Sequence, residues 1–148
     1  MLAARRLTEA QLWQRLVRKN LDDVAVRDAV EWSKAQGYLD DAIFARLYVE
    51  GRGSAVGDAR LVGELVRRGV DRDAAMHAVA GSERGEDARL GTALAKLRAK
   101  RPGAQYGSLA RSLERLGFPA SAIYRHLRLH AGGGLSAPAH EDSAAACE

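Results

Sequence analysis

The chain repeats itself. Written without gaps, LWQRLVRKNLDD from Leu12 lies over LVGELVRRGVDR from Leu61 and LARSLERLGFPA from Leu109. Leu12 and Leu16 return as Leu61 and Leu65, then as Leu109 and Leu113, at offsets of 49 and 48 residues. Arg18 returns as Arg67 and Arg115, and Asn20 is replaced by Gly69 and Gly117. The next position stays apolar as Leu21, Val70 and Phe118. Beyond it, Val26 and Val30 answer to Ala75 and Val79, then to Ile123 and Leu127. Leucines at helical spacing align by chance in many helical chains. A helix stop, an apolar residue and a restarted stripe in one register do not. A period of this length means small helical units that bury their apolar faces against their own helices and their neighbours.

Local signals fill in the units. Thr8 with Gln11 three residues later forms a capping box, and Leu7 and Leu12 occupy the staple positions. Asn20, Gly69 and Gly117 are residues that tolerate the left-handed conformation that ends a helix. Asp22 or Asp23 caps a second helix with Val26, Ala29, Val30 and Trp32 on its buried side, ended by Gly37. A helix from Asp40 or Asp41 carries Ile43, Phe44, Leu47 and Tyr48 and ends near Gly51 or Gly53. It precedes the second pair as Glu86 to Lys100 precedes the third. The expected fold is therefore all-α, with tandem three-helix repeats forming an elongated, curved, solenoid-like body. The units are 1–36, with its leading helix mostly missing, then 37–80 and 81–130. Residues 131–148, with three consecutive glycines and little to pack, are expected to be a disordered tail. GRGSAVG reads as a short flexible connection, Gly81 to Gly85 as the most mobile internal joint, and Arg101-Pro102-Gly103 as a further break.

Composition supports helices: 47% of the 148 residues are hydrophobic, but only 5% are aromatic, and Leu and Ala lead. The net charge of +4 conceals an asymmetry. From Ala131 onward there are Glu141, Asp142 and Glu148 and no Lys or Arg, so the rest carries +7. Such a body attracts anionic surfaces of nucleic acid or protein. The single cysteine, Cys147, excludes an internal disulfide and a Cys-x-x-Cys zinc site. Arg5, Arg6 and Glu9 interrupt the N-terminus before a secretory apolar core forms, so the cytoplasm is the expected compartment.

Catalysis finds no support. GRGSAVG lacks the lysine and preceding strand of a phosphate loop. His126 and His130 share a helical face, but no third ligand has convincing spacing, so no metal or other cofactor is expected. Asp40 and Asp41 read as caps. The basic residues carry more. Arg15, Arg18 and Lys19 cluster on the first paired helix, Arg60, Arg67 and Arg68 on the second, and Arg111 and Arg115 on the third. Arg18, Arg67 and Arg115 share one repeat position, so their guanidiniums can recur along one edge and follow a polyanion or a repeating acidic surface. No pattern here specifies bases: the helix after Gly69 offers Ala74, Ala75, Met76, Ala78 and Val79 where a recognition helix displays polar groups.

The segment GYLDDAIFARLYVE, Gly37 to Glu50, resembles the characteristic stretch of the bacterial RecX family, regulators of the RecA recombinase. Gly37, Tyr38, Leu39, Asp40, Asp41, Phe44, Ala45 and Tyr48 stand in that family's arrangement. Leu65, Arg68, Gly69, Val70 and Asp71 match its helix ending, and the likeness runs from about Leu7 to Arg128. It implies three tandem three-helix units that lie in the groove of the RecA–DNA filament. It also implies suppression, in the main, of ATP hydrolysis, strand exchange and coprotease activity. The partners implied are the RecA filament and single-stranded, with some double-stranded, DNA; the protein itself is expected to be a monomer. The motif aromatics Tyr38, Phe44 and Tyr48 read as core, and the arginines as the partner surface. The first unit lacks most of its leading helix, Asp58 stands where more basic residues are common, and Pro119 replaces the capping aspartate. The rival expectation is a general DNA-binding architectural or regulatory protein; a small enzyme is a distant third.

Overall fold

The computed structural model describes residues 6–131. Expectations about the first five residues, the tail beyond Ala131 and Cys147 lie outside them. Eight α-helices fill the described residues: α1 Glu9–Val17, α2 Asp23–Ala35, α3 Asp41–Arg52, α4 Asp58–Arg67, α5 Arg72–Ala80, α6 Glu86–Lys100, α7 Tyr106–Arg115 and α8 Ala120–Ala131. A single 3-10 turn, Gly53–Ala55, follows α3. The fold is all-α.

Helix starts follow the capping chemistry. The Thr8 hydroxyl accepts from Gln11 N–H at 3.2 Å, and the Gln11 side chain accepts from Thr8 N–H at 3.2 Å, closing the capping box. Asp22, Asp40 and Asp71 cap α2, α3 and α5 by accepting from backbone N–H groups two or three residues on. Helix ends follow just as closely. Asn20 (φ 58°), Gly69 (φ 91°) and Gly117 (φ 90°) are all left-handed, so the three aligned stop residues turn the chain in the same way.

Helix α1 packs on α2, α3 packs on α4 and α5, and α6 packs on α7 and α8. Two separate clusters of buried apolar side chains result. One gathers Ala45 and Val49 of α3, Leu61 and Leu65 of α4, and Ala75 and Val79 of α5 around Val56 and Val70. The other gathers Leu90 and Leu94 of α6, Leu109 and Leu113 of α7, and Ile123 and Leu127 of α8 around Phe118. The α1–α2 pair is thinner: α1 has no fully buried residue, and α2 buries Val26 and Val30.

Three expectations need correction. Trp32 is 59% and Tyr38 66% exposed; instead of entering the core, the two rings pair at the surface, 5.8 Å apart. Neither α1 nor α3 covers that side of α2. GRGSAVG is no free connection: Gly53, Val56 and Gly57 are buried, and the 3-10 turn packs on α6. Beside the Gly81–Gly85 joint, Arg89 Nε donates to the Arg84 carbonyl at 3.0 Å.

Candidate functional site

The basic residues are best located from the two junctions that join the packed groups. At the first, the N-terminus of α1 docks on the turn between α4 and α5. The buried Thr8 hydroxyl donates to the Arg68 carbonyl, and Glu9 N–H donates to Asp41 Oδ1 at 3.0 Å. The Ala10 methyl fills the space that a side chain at Gly69 would need. At the second, the N-terminus of α4 docks on the turn between α7 and α8. Gly57 N–H donates to the Leu116 carbonyl at 2.9 Å, and a Cβ at Gly57 would overlap the Gly117 carbonyl. Thr8 and Gly57 lie 49 residues apart and Arg68 and Leu116 lie 48 apart, the offsets of the aligned segments. Both junctions set a helix N-terminus on a glycine turn, with a side-chain hydroxyl as donor at the first and a backbone N–H at the second.

At the first junction, α1 brings Arg15 and Arg18 toward Arg68 of the α4 end, with Arg6 beside them. Together with Gln11 and Gln14 they line a cleft of about 530 Å³, whose remaining walls are Leu7, Phe44 and Tyr48. No carboxylate lines it. Among the described residues, none of these four arginines joins an ion pair. The Arg68 guanidinium lies 4.5 Å from the centre of the Tyr48 ring, a cation–π contact, and donates to the Glu64 carbonyl at 2.9 Å.

Beneath the cleft, Tyr48 hands over to a buried carboxylate. Its hydroxyl donates to Glu64 Oε2 at 2.5 Å, and Glu64 also accepts from Arg52 Nε and Arg60 Nε, each at 3.0 Å. The hydrogen bond from Arg52, ahead of those from Tyr48 and Arg60, outweighs burial and lowers the Glu64 pKa from 4.5 to about 2. Burial, then the bond to Glu64, raises the Tyr48 phenol above its ordinary value. Burial likewise raises the Asp41 carboxyl, against the lowering effect of the Glu9 N–H it accepts.

The other sequence-marked basic residues lie elsewhere. Arg60 is occupied inside the fold: besides Glu64, it donates from Nη1 to the Arg115 carbonyl at 3.0 Å across the second junction. Lys19, Arg67, Arg111 and Arg115 are exposed, and Arg115 Nε donates to the Arg111 carbonyl at 3.2 Å. Arg15, Arg18 and Arg68 are thus brought together, and the remaining five do not line that cleft. The motif residues divide between fold and cleft. Gly37 turns with φ 73°, Leu39 and Ala45 are buried, Asp40 caps α3, Asp41 anchors the first junction, and Phe44 and Tyr48 form cleft wall. His126 Nε2 is 3.5 Å from Asp87 Oδ1. Among the described residues, no three His, Cys, Asp or Glu side chains gather closely enough for a metal ion. No helix there is long and apolar enough to cross a membrane.

Sequence reasoning passed over Arg6, Gln11 and Gln14 as site residues, and Glu64 and Arg89 as the groups that organise it. Arg89 is 1% exposed and donates to the Val56 carbonyl at 2.9 Å and to the Asp58 carboxylate. Asp58, which stands where more basic residues are common in the family, is therefore paired with Arg89 at the second junction.

Comparison with known proteins finds the regulatory protein RecX of Thermobifida fusca, 34% identical over 128 residues, which make up 82% of this chain and 69% of that protein. The regulatory protein RecX of Mycobacterium avium is 33% identical over 89 residues, 59% of this chain and 51% of its own length. That of Thermus thermophilus is 34% identical over 96 residues, 65% of this chain and 63% of its own. Against these last two, the chain spans between half and two thirds of the relative. No family model matches the chain.

Proposed function

The chain belongs to the RecX family of regulatory proteins, and from that membership we propose that it binds the filament RecA forms on DNA. There it modulates, and mainly inhibits, ATP hydrolysis, strand exchange and coprotease activity. It acts as a binding protein in the cytoplasm: obstructing protomer addition or the strand-exchange groove needs contact energy, not a bond-making side chain.

The observation that carries this is the junction used twice. Helix N-terminus on glycine turn is a head-to-tail contact, and repeating it without closure sets units in a row. The proposed units are 1–36, 37–80 and 81–130, in a curved monomeric body longer than it is wide. Such a body reaches successive protomers of a filament, and its exposed cations, among them Arg18, Arg67 and Arg115 at equivalent helix ends, meet the filament's acidic or phosphate-bearing surface.

Cosedimentation with RecA filaments assembled on single-stranded DNA, at low and moderate salt, tests this beside anisotropy on bare single- and double-stranded DNA. The protein should pellet with filament and bind it more tightly than either bare DNA. Equal affinity for bare DNA would replace this proposal with a general DNA-binding architectural protein.

A further inference from the structure

We infer that the cleft between α1 and the α3–α4 pair binds the phosphodiester backbone of single-stranded nucleic acid. The inference rests on the filament proposal for the identity of the strand, but the site itself stands on geometry. Arg6, Arg15, Arg18 and Arg68 line one concavity that contains no carboxylate. Arg6, Arg15 and Arg18 are exposed and Arg68 is half-buried, and like charges gathered along one concavity repel one another. An anion relieves that repulsion, and guanidinium forks fit phosphate oxygens in pairs.

The second junction is an internal control. It too sets a helix N-terminus on a glycine turn, yet in the aligned segments Glu64 stands there at the position of Arg15, and Arg60 at that of Gln11. At that junction the cation is neutralised within the fold, since Arg60 pairs with Glu64 at 3.0 Å and Arg89 pairs with Asp58. The open positive charge of the first junction is therefore not a by-product of joining two units. It follows from which residues occupy an otherwise shared frame.

The same cleft supplies what distinguishes a strand from an acidic peptide. Phe44 and Tyr48, stacked with ring centres 6.2 Å apart, share its wall with the guanidiniums, and single-strand sites combine a cationic groove with aromatic surface.

The test is anisotropy of a labelled oligothymidylate with the full chain and no recombinase present, over a salt series. Arg15→Gln/Arg18→Gln should weaken binding about tenfold or more, and should reduce the slope of log K against log salt by roughly 1.4, at about 0.7 per contacted phosphate. Lys96→Gln/Arg98→Gln, an equal charge change on exposed positions of α6, should leave affinity within about twofold and the slope within about 0.3. Thermal melts matching wild type confirm that each pair folds. Three results overturn the inference: no wild-type binding, equal losses in both pairs, or displacement by oligoglutamate at the same charge concentration. The last would assign the cleft to an acidic protein segment. Because the assay holds no recombinase, its failure leaves the filament proposal to be judged by cosedimentation alone.

Discussion

At Glu64 a carboxylate is 5% exposed yet remains charged, because three donors from α3 and α4 surround it. Removing one partner from such a set leaves an uncompensated buried charge, which is why these pairs are costly to break. The sign of the pH dependence follows directly. The carboxyl is held at about 2 in the folded protein against an ordinary 4.5, so the unfolded chain takes up the proton first. The stabilisation is complete above pH 4.5 and is lost as pH falls through about 2. The shift corresponds to something on the order of 3 kcal/mol. Urea denaturation from pH 6 down to 2 should show that loss, and Glu64→Gln should remove most of the slope below pH 4.5. An unchanged slope in the variant would assign the acid sensitivity to other carboxylates. Sequence could not reveal this residue: nothing local separates Glu64 from an ordinary solvated glutamate on an amphipathic helix, and its partners Tyr48 and Arg52 lie on a different helix.

Among the elements, what the sequence made legible was whatever a helix decides within one turn. The capping box at Thr8, the aspartate caps, the Glu86–Lys100 span and the three left-handed stops all rest on interactions within about four residues. What stayed hidden depends on elements far apart in sequence. Arg89 is buried because Val56 and Asp58, more than thirty residues away, face it. The spacing of Tyr38, Phe44 and Tyr48 suits packing of α3 on its helix pair, and no periodicity says that Tyr38 pairs instead with Trp32 at the surface. The stops themselves carry both kinds of information. All three are left-handed, but only the two glycines are pressed against a docked helix. A Cβ at Gly117 would meet the Arg60 backbone, and one at Gly69 would meet Ala10. Asn20, with its own Cβ, sits at the turn of the first pair. Gly117→Ala should therefore destabilise by more than about 1 kcal/mol, from strain at positive φ plus forced separation of α4 from the α7–α8 turn. Asn20→Gly should change stability by only a few tenths. Urea midpoints measure both, and equal effects at the two positions would mean that the close approach of the second junction has no energetic weight.

Over the whole molecule, stability is distributed unevenly, and the cleft lies at its weak end. The α3–α5 and α6–α8 groups each enclose an apolar cluster, whereas the α1–α2 pair buries two valines. Helix α1 packs on α2 and is tied to the α3–α5 group by the Thr8 bond to the Arg68 carbonyl and the Glu9 bond to Asp41. Segments with few buried apolar contacts open locally at a fraction of the global cost. Amide exchange should accordingly be fastest in α1, intermediate in α2 and slowest in α4 and α7. Thr8→Val, which keeps the shape but removes both the cap and the cross-junction donor, should speed α1 exchange about fivefold or more, since a lost cap alone costs about 1 kcal/mol. Exchange in α7 should stay as it was. If α1 proved as protected as α4, the first pair would be part of a single cooperative core and the view of loosely joined groups would fail. The same unevenness bears on ligand binding. Arg15 and Arg18 ride on the least anchored helix, while Arg68 and Tyr48 belong to the firmly packed group, so any anion held between them stabilises the closed junction by mass action. Protection of α1 should rise when saturating oligothymidylate is added, and the same addition should leave α1 of Arg15→Gln/Arg18→Gln unprotected.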